Sequence, residues 1–418
     1  MHEGSYYSGL QSFFARHIFS SRWRFFLSLF IPLTFIYSVT ASWDLPQDPD
    51  TITNAVTAWH LGHYGSPFLP GYEDFTAGPQ AALFFHFVMG HHGAVAQYPP
   101  GAALLAAPLY AVSSNTVRDE VTLYRPSDPH VESVNILLPS FWQATAVAVL
   151  STAAAIAFLG LIFLSQGSPK EAWVATWIAG LGTSAWSIAS EMLWQHGPAM
   201  LWITLGLFLS LQRRWWSSGL AFGAAVLTRP HTAVISACLG VSSVLESRSI
   251  MSALKVGLAA CLGLVALLAY NYFVFRSISV SGGYSNNFVN NLVDSDATML
   301  LVNLLGGMFD PRVGLLVWSP FLIILLPGIL QGWRQTDWVF CGAAVGGVIY
   351  LLLQFKMNRY MPGYTIPYRY PLEAITAAAP LFFASYIYWV KYRQRLKNLL
   401  IKTSVLSIGL HAIAVLFL

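Results

Sequence analysis

Charge is scarce in this chain. Asp, Glu, Lys and Arg make up 10% of its 418 residues, against about 25% in soluble domains, which excludes an ordinary water-soluble globule. Cysteine is scarcer still. Cys238, Cys261 and Cys341 each sit inside an apolar run, so they read as small hydrophobes and not as a disulfide framework or a metal site. A cleavable leader is not expected either. The first apolar run follows Arg16, Arg22 and Arg24 and lacks a small-residue cleavage site.

Hydrophobic residues supply 56% of the chain and the mean hydropathy is +0.56. The 15 Trp, 19 Tyr and 27 Phe suit membrane interfaces, where aromatic rings collect. Because about 20 apolar residues cross a bilayer, runs were sought at that length. They fall near 24–42, 137–164, 172–189, 198–212, 217–228, 232–246, 253–275, 314–331, 337–354, 371–390 and 399–418. The expectation is an all-α polytopic membrane protein of about 11 transmembrane helices, forming a single membrane domain over residues 1–418. The segment 101–115, which contains Pro108, is too short to cross a core of about 30 Å.

Charge settles how 101–115 is read. If it stays on the outer surface, Lys and Arg divide 14 inside to 8 outside; if it crosses, the split becomes 11 to 11. The positive-inside rule selects the first arrangement. Residues 1–23 then form a cytoplasmic N-terminal segment, and residues 43–136 form an extracytoplasmic loop of 94 residues. Only Glu3, Glu171, Glu246 and Asp337 among the acids lie inside, giving net charges of +10 inside and −6 outside. Acidic residues do little to orient spans, so their gathering outside points to function on that face.

A loop of this length is expected to be folded. Helical candidates lie near 51–61, with Thr51 as a cap, at 80–89 and at 101–115. The loop opens with Trp43-Asp44-Leu45-Pro46-Gln47-Asp48-Pro49-Asp50, three carboxylates stiffened by two prolines. Close like charges raise each other's pKa unless compensated, a condition typical of functional sites; the same residues also suit a solvated, proline-punctuated turn. Further on, Gln97-Tyr98-Pro99-Pro100-Gly101 enters an apolar helix, with Gly101 allowing close packing at its start.

Taken in order, these features resemble the GT-C superfamily of membrane glycosyltransferases, which includes protein O-mannosyltransferases, the lipid A aminoarabinose transferase and mycobacterial arabinosyl- and mannosyltransferases. The matching pieces are Asp48-Pro49-Asp50 just after the first span and Tyr98-Pro-Pro-Gly101 leading a surface helix. Glu191-Met-Leu-Trp194-Gln-His196-Gly197-Pro198, Thr228-Arg229-Pro230, the stretch from Phe309 through Arg312 to Pro320, and Tyr368-Arg369-Tyr370-Pro371 follow. The resemblance implies a GT-C-like fold and a polyprenyl-phosphate sugar donor. It also implies a first-loop acid that activates an acceptor hydroxyl. Asp50 is the position preferred for that base, with Asp48 as its supporting partner. Where related enzymes carry Lys before the paired prolines, this chain has Gln97 and Tyr98, so phosphate binding must move elsewhere.

The outer-side cations that are candidates for phosphate are Arg229, Arg276, Arg312, Lys356, Arg359 and Arg369. Arg229, Arg312 and Arg369 are the candidates for donor phosphate or for a catalytic carboxylate, because guanidinium offers a charged fork; interfacial snorkelling is the alternative. Tyr98, Glu191, His196 and Tyr284 are candidate pocket-lining residues. The outer histidines His60, His63, His86, His91, His92 and His196 show no HExxH pattern, and interfacial hydrogen bonding is preferred over metal binding for them. A divalent metal is left open without a motif, and no cofactor is read. The loop 276–313 carries Ser281-Gly-Gly-Tyr284-Ser-Asn286-Asn287, which suits turns first and sugar contacts second.

The function expected is inverting hexosyl or pentosyl transfer at the extracytoplasmic face of the cell membrane. The acceptor would be a glycan, lipid or protein, with membrane lipids as neighbours and no nucleic acid. The alternative is a transporter or lipid-linked sugar flippase without chemistry. Transporters show repeats between halves and ionisable residues near span centres, whereas no internal repeat is found here.

Overall fold

The computed structural model describes residues 21–417, apart from 45–47, 78–85, 116, 119–120, 124–131, 135, 285–289, 291, 295 and 361–365. Helices of twelve residues or more are numbered in chain order. The first five are α1 (Arg22–Thr40), α2 (Pro49–Tyr64), α3 (Gly101–Val112), α4 (Trp142–Leu164) and α5 (Pro169–Leu181). Then come α6 (His196–Leu211), α7 (Trp215–Thr228), α8 (Ala233–Ser247) and α9 (Ile250–Phe275). The last four are α10 (Ala297–Phe309), α11 (Trp338–Met357), α12 (Leu372–Ser385) and α13 (Gln394–Phe417).

Five of these, α1, α4, α9, α11 and α13, are long and apolar enough to cross a membrane. The chain is an all-α polytopic membrane protein. Each of the eleven apolar runs meets a helix or a chain of short helices. The run at 314–331 is divided into Leu315–Trp318, Phe321–Leu325 and Ile329–Gln335, because Pro320 and Pro327 cannot donate to the helical ladder. α5 is started by a capping box in which Ser168 and Glu171 satisfy each other's backbone N–H groups, with Pro169 at the first helical position. It continues through a π-helical turn, Ala185–Ala189, toward Glu191.

In the first loop, α2 and α3 cross so closely that a Cβ on Gly62 would lie 2.5 Å from the Ala107 carbonyl oxygen. They share an apolar core with Tyr72, Phe87 and Phe141, apart from the larger core of the helical bundle. The expected helices at 51–61 and 101–115 are found as α2 and α3. The α2 cap, however, is Asp48 and not Thr51. The Asp50 N–H donates to Asp48 Oδ1 at 2.8 Å, while Thr51 Oγ1 donates to the Asp48 carbonyl; a carboxylate two residues before the second helical N–H is better placed to cap it.

The expected helix at 80–89 is corrected where it is described. Residues 80–85 lie outside the described residues, and Phe87–Gly90 is a strand, β1, paired antiparallel with β2 (Gly93–Ala96). Nine apolar residues nucleate a helix poorly, and the two-residue turn His91-His92, followed by Gly93 at φ 133°, favours a hairpin. Two further ladders join Val117–Arg118 to Leu138–Pro139 and Val121–Leu123 to Glu132–Val134. The first loop therefore carries short strands as well as its two helices.

Candidate active site

Asp50 lies in the first turn of α2, where the helix dipole favours a negative charge. Its Oδ2 is 2.7 Å from Arg369, which approaches from 319 residues away in the chain. Its Oδ1 lies 2.8 Å from His86 Nε2 and accepts a short hydrogen bond from the Tyr98 hydroxyl. His86 Nδ1 is in turn 2.6 Å from Gln97 Nε2. Arg369 is held flat by aromatic faces, its guanidinium carbon 4.6 Å from the Trp194 ring centre and 5.4 Å from that of Tyr370. Only part of its fork is used: among the described residues, Arg369 Nε is buried without a hydrogen-bond partner.

Burial works against charge on Asp50. The Arg369 guanidinium, His86 and the Tyr98 hydroxyl outweigh it and hold this carboxyl far below the usual range. Burial and the neighbouring Asp50 charge push Asp48 the other way, up to about 6. Two acids two residues apart thus differ sharply in proton affinity, because one sits against the arginine and the other caps the helix. Burial and the Asp50 charge also raise Tyr98 well above its ordinary value, so it stays a donor at neutral pH. Burial alone raises Glu191 to about 8.

A second acid–arginine centre lies beside the first. Glu373, fully buried in the first turn of α12, places Oε1 2.9 Å from His196 Nδ1 and 3.3 Å from Arg229 Nε. Arg229 caps the C-terminus of α7, where a cation is favoured, and also reaches His231 at 3.4 Å and Gln354 at 3.5 Å. The Tyr350 hydroxyl is buried beside Glu373 and Arg229. The centres are tied together along the chain by Trp194 and His196, and by Arg369 and Glu373. In space Gly101 is the tie. A Cβ there would lie 2.4 Å from Thr228 Oγ1, so the Tyr98-Pro-Pro-Gly101 and Thr228-Arg229-Pro230 segments touch.

No family model matches the chain, and no curated protein matches it. Among solved structures, ArnT from Cupriavidus metallidurans, in the apo state, matches with a TM-score of 0.51 and 13% sequence identity, over 91% of this chain. The chain shares the fold of that ArnT structure. Its length spans 63% of that ArnT chain, and at this identity the likeness is one of fold.

Within this fold, Asp48, Asp50, Tyr98 and Arg369 are brought together. Tyr284 joins them, its ring edge-on to Tyr98 with centroids 5.8 Å apart. Arg229 and His196 meet each other and Glu373 in the adjoining centre. Glu191 stands beside the end of α1, its carbonyl accepting from Ser42 N–H. The following residues seat α2: Asn54 donates to the Leu193 carbonyl at 3.0 Å. Arg312 is placed differently. Its side chain is 63% exposed and pairs with Asp310 at 3.6 Å within its own loop. Asn286 and Asn287 lie outside the described residues. His91 and His92 meet edge to face at the hairpin turn, and no group of three or more His, Cys, Asp or Glu side chains among the described residues is placed to hold a metal.

Reading the residues alone missed three members of the site. His86 was grouped with the outer histidines but not tied to Asp50. Trp194 was quoted within a motif but given no role as the platform for Arg369. Glu373 was passed over, although an acid two residues into a late apolar run is itself a signal, since ionisable residues in such runs are rare and face partners or cavities.

Proposed function

We propose that this protein is a membrane glycosyltransferase that moves a hexose or pentose from a polyprenyl-phosphate donor to a hydroxyl of a lipid, glycan or protein acceptor at the extracytoplasmic face. The observation that carries the reading is the contact between Asp50 and Arg369 at 2.7 Å, which puts a carboxylate and a phosphate-matching cation in one half-buried place. The GT-C-like fold and the motif order support it.

The chemistry follows from sharing one guanidinium. While Arg369 holds Asp50, the carboxylate is a poor base. A donor phosphate offers Arg369 a competing anion, and the buried Nε is available to it. As guanidinium charge turns toward phosphate, Asp50 loses its main counter-charge and its proton affinity rises. Asp50 then takes the acceptor hydroxyl proton as that oxygen attacks the anomeric carbon, with inversion. The bond from carbon to phosphate oxygen breaks, and phosphate leaves with the electron pair, its charge met by Arg369. Tyr98 and His86 keep Asp50 oriented throughout.

The test is transfer of labelled sugar from a polyprenyl-phosphate donor by purified protein, beside donor binding. Wild type should bind donor and transfer; Asp50→Asn should bind and not transfer. Failure of wild type to bind any such donor would remove the reading.

A further inference from the structure

Away from both acid–arginine centres, a cavity of about 580 Å³ lies among α4, α5, α12 and α13, within the roughly 300–1,000 Å³ of small-ligand sites. Its wall is apolar, built by residues such as Ile156, Ile178, Phe321, Ile375 and Phe383. At its rim Val174 of α5 is 44% exposed and Ile401 of α13 is 54% exposed, so the cavity opens on the outside of the bundle between those helices. One end is charged. Lys170, Glu171 and Lys397 line it, and Lys391 Nζ lies 3.0 Å from Glu171 Oε1. Glu171 is also engaged by the Ser168 hydroxyl at 2.7 Å. Lys170 and Lys397 make no ion pair among the described residues, which leaves a cationic mouth on an apolar shaft.

We propose that this cavity binds an anionic glycerophospholipid, with an acyl chain entering between α5 and α13 and the phosphate held by Lys170 and Lys397. Basic pockets between membrane helices recognise anionic headgroups through such paired features. A polyprenyl phosphate shares the chemistry, but position separates the two. α5 and its π-helical turn lead from Lys170 to Glu191, the end where α2 and Asp50 are seated, a distance of roughly 30 Å at 1.5 Å per residue. A donor held at Lys170 would carry its sugar at the wrong end of the helix. The occupant is therefore a resident lipid of the leaflet that meets Lys170; setting aside the polyprenyl phosphate rests on the transferase reading, whereas the cationic mouth and apolar shaft do not.

Native mass spectrometry of the delipidated full-length protein, given phosphatidylglycerol or phosphatidylcholine with the same chains, tests this. Wild type should retain phosphatidylglycerol in preference. The double substitution Lys170→Gln with Lys397→Gln should reduce that retention by about tenfold or more, toward the phosphatidylcholine level. Ala379→Phe, which fills the cavity, should reduce retention of both lipids while a melting curve reports on folding. Equal retention of the two lipids by wild type, or unchanged phosphatidylglycerol retention in the double variant, overturns the proposal. Displacement of phosphatidylglycerol by an equal concentration of polyprenyl phosphate overturns the choice of occupant. Should Ala379→Phe fail to fold, the lysine variant decides alone, because both lysines stand at the mouth and neither makes an ion pair that holds the helices.

Discussion

Asp50 meets Arg369 with 16% of its side chain still exposed, whereas Glu373 meets Arg229 with none. Both acids sit in the first turn of a helix, and both arginines come from elsewhere in the chain. The difference lies in what surrounds them. Asp50 is ringed by groups that can rearrange: a tyrosine hydroxyl, a histidine, a second carboxylate and an arginine stacked on tryptophan. Glu373 is enclosed by helix ends, and its partners His196 and Arg229 are themselves fixed by α6 and α7. A half-open pair can exchange its counter-ion for a ligand; a closed pair can only hold its shape. Under the proposed function, reaction belongs to the first centre and positioning to the second.

Exchanging each acid for its amide separates the two most strongly. Asp50→Asn keeps size and orientation but cannot take a proton, so turnover should fall by about 10²–10⁴-fold while donor affinity and the melting temperature stay close to wild type. Glu373→Gln instead leaves Arg229 buried without its charge partner, a situation worth about 3–5 kcal/mol of stability. Its melting temperature should drop, and activity should drop with it. An Asp50→Asn protein that melts early, or a Glu373→Gln protein that melts normally and has lost only turnover, would reverse the assignment. If both Asp50→Asn and Asp48→Asn turn over normally, Glu191 becomes the next base to test, its carboxyl already raised to about 8.

The arginine of the open centre should be worth less than its acid. Arg369→Ala removes charged hydrogen bonds of roughly 1.5–3 kcal/mol each, so donor KM should rise about 10- to 100-fold. Arg369→Lys should recover part of this, because a point charge replaces a fork and loses the stacking on Trp194. Arg312→Ala, in its exposed loop, should leave donor KM unchanged. A rise with Arg312→Ala would bring that loop to the donor and blur the distinction between the centres.

How much of this was legible beforehand depends on whether the signal was local. The apolar helices, α2, α3 and the paired acids at the start of α2 show in composition and in proline placement, both properties of short windows. Tyr98 and Arg369 were picked out by motif order. What no window could give is the contact between Asp50 and Arg369, because it depends on where α12 starts relative to α2. Arg312 was grouped with Arg229 and Arg369 for the same reason: three outer arginines look alike until the fold places one in solvent. The described end of the 80–89 stretch, Phe87–Met89, was misread because an unbroken apolar run has no period to tell a strand from a helix.

The smallest expected effect concerns Asp48, and its sign can be worked out. Its carboxyl is raised to about 6 in the folded protein, against about 3.9 in an unfolded chain. Between those values the folded state binds more protons than the unfolded state, so this group lowers stability as pH rises through about 4 to 6. Asp48→Asn removes that penalty. Because Asn caps a helix as well as Asp does, α2 should persist, and the variant should melt slightly later than wild type at pH 7 and no later at pH 4. Turnover should move the opposite way. An ionised Asp48 raises the proton affinity of Asp50 once Arg369 has turned to phosphate, so wild type should slow as pH falls from 7 to 5 and Asp48 takes up its proton. Asp48→Asn should hold the low-pH rate across that whole range, a loss of less than about tenfold at pH 7 for roughly one unit of base strength. A wild-type profile flat between pH 5 and 7, or an Asp48→Asn profile that keeps the wild-type slope, would mean that Asp48 only caps the helix.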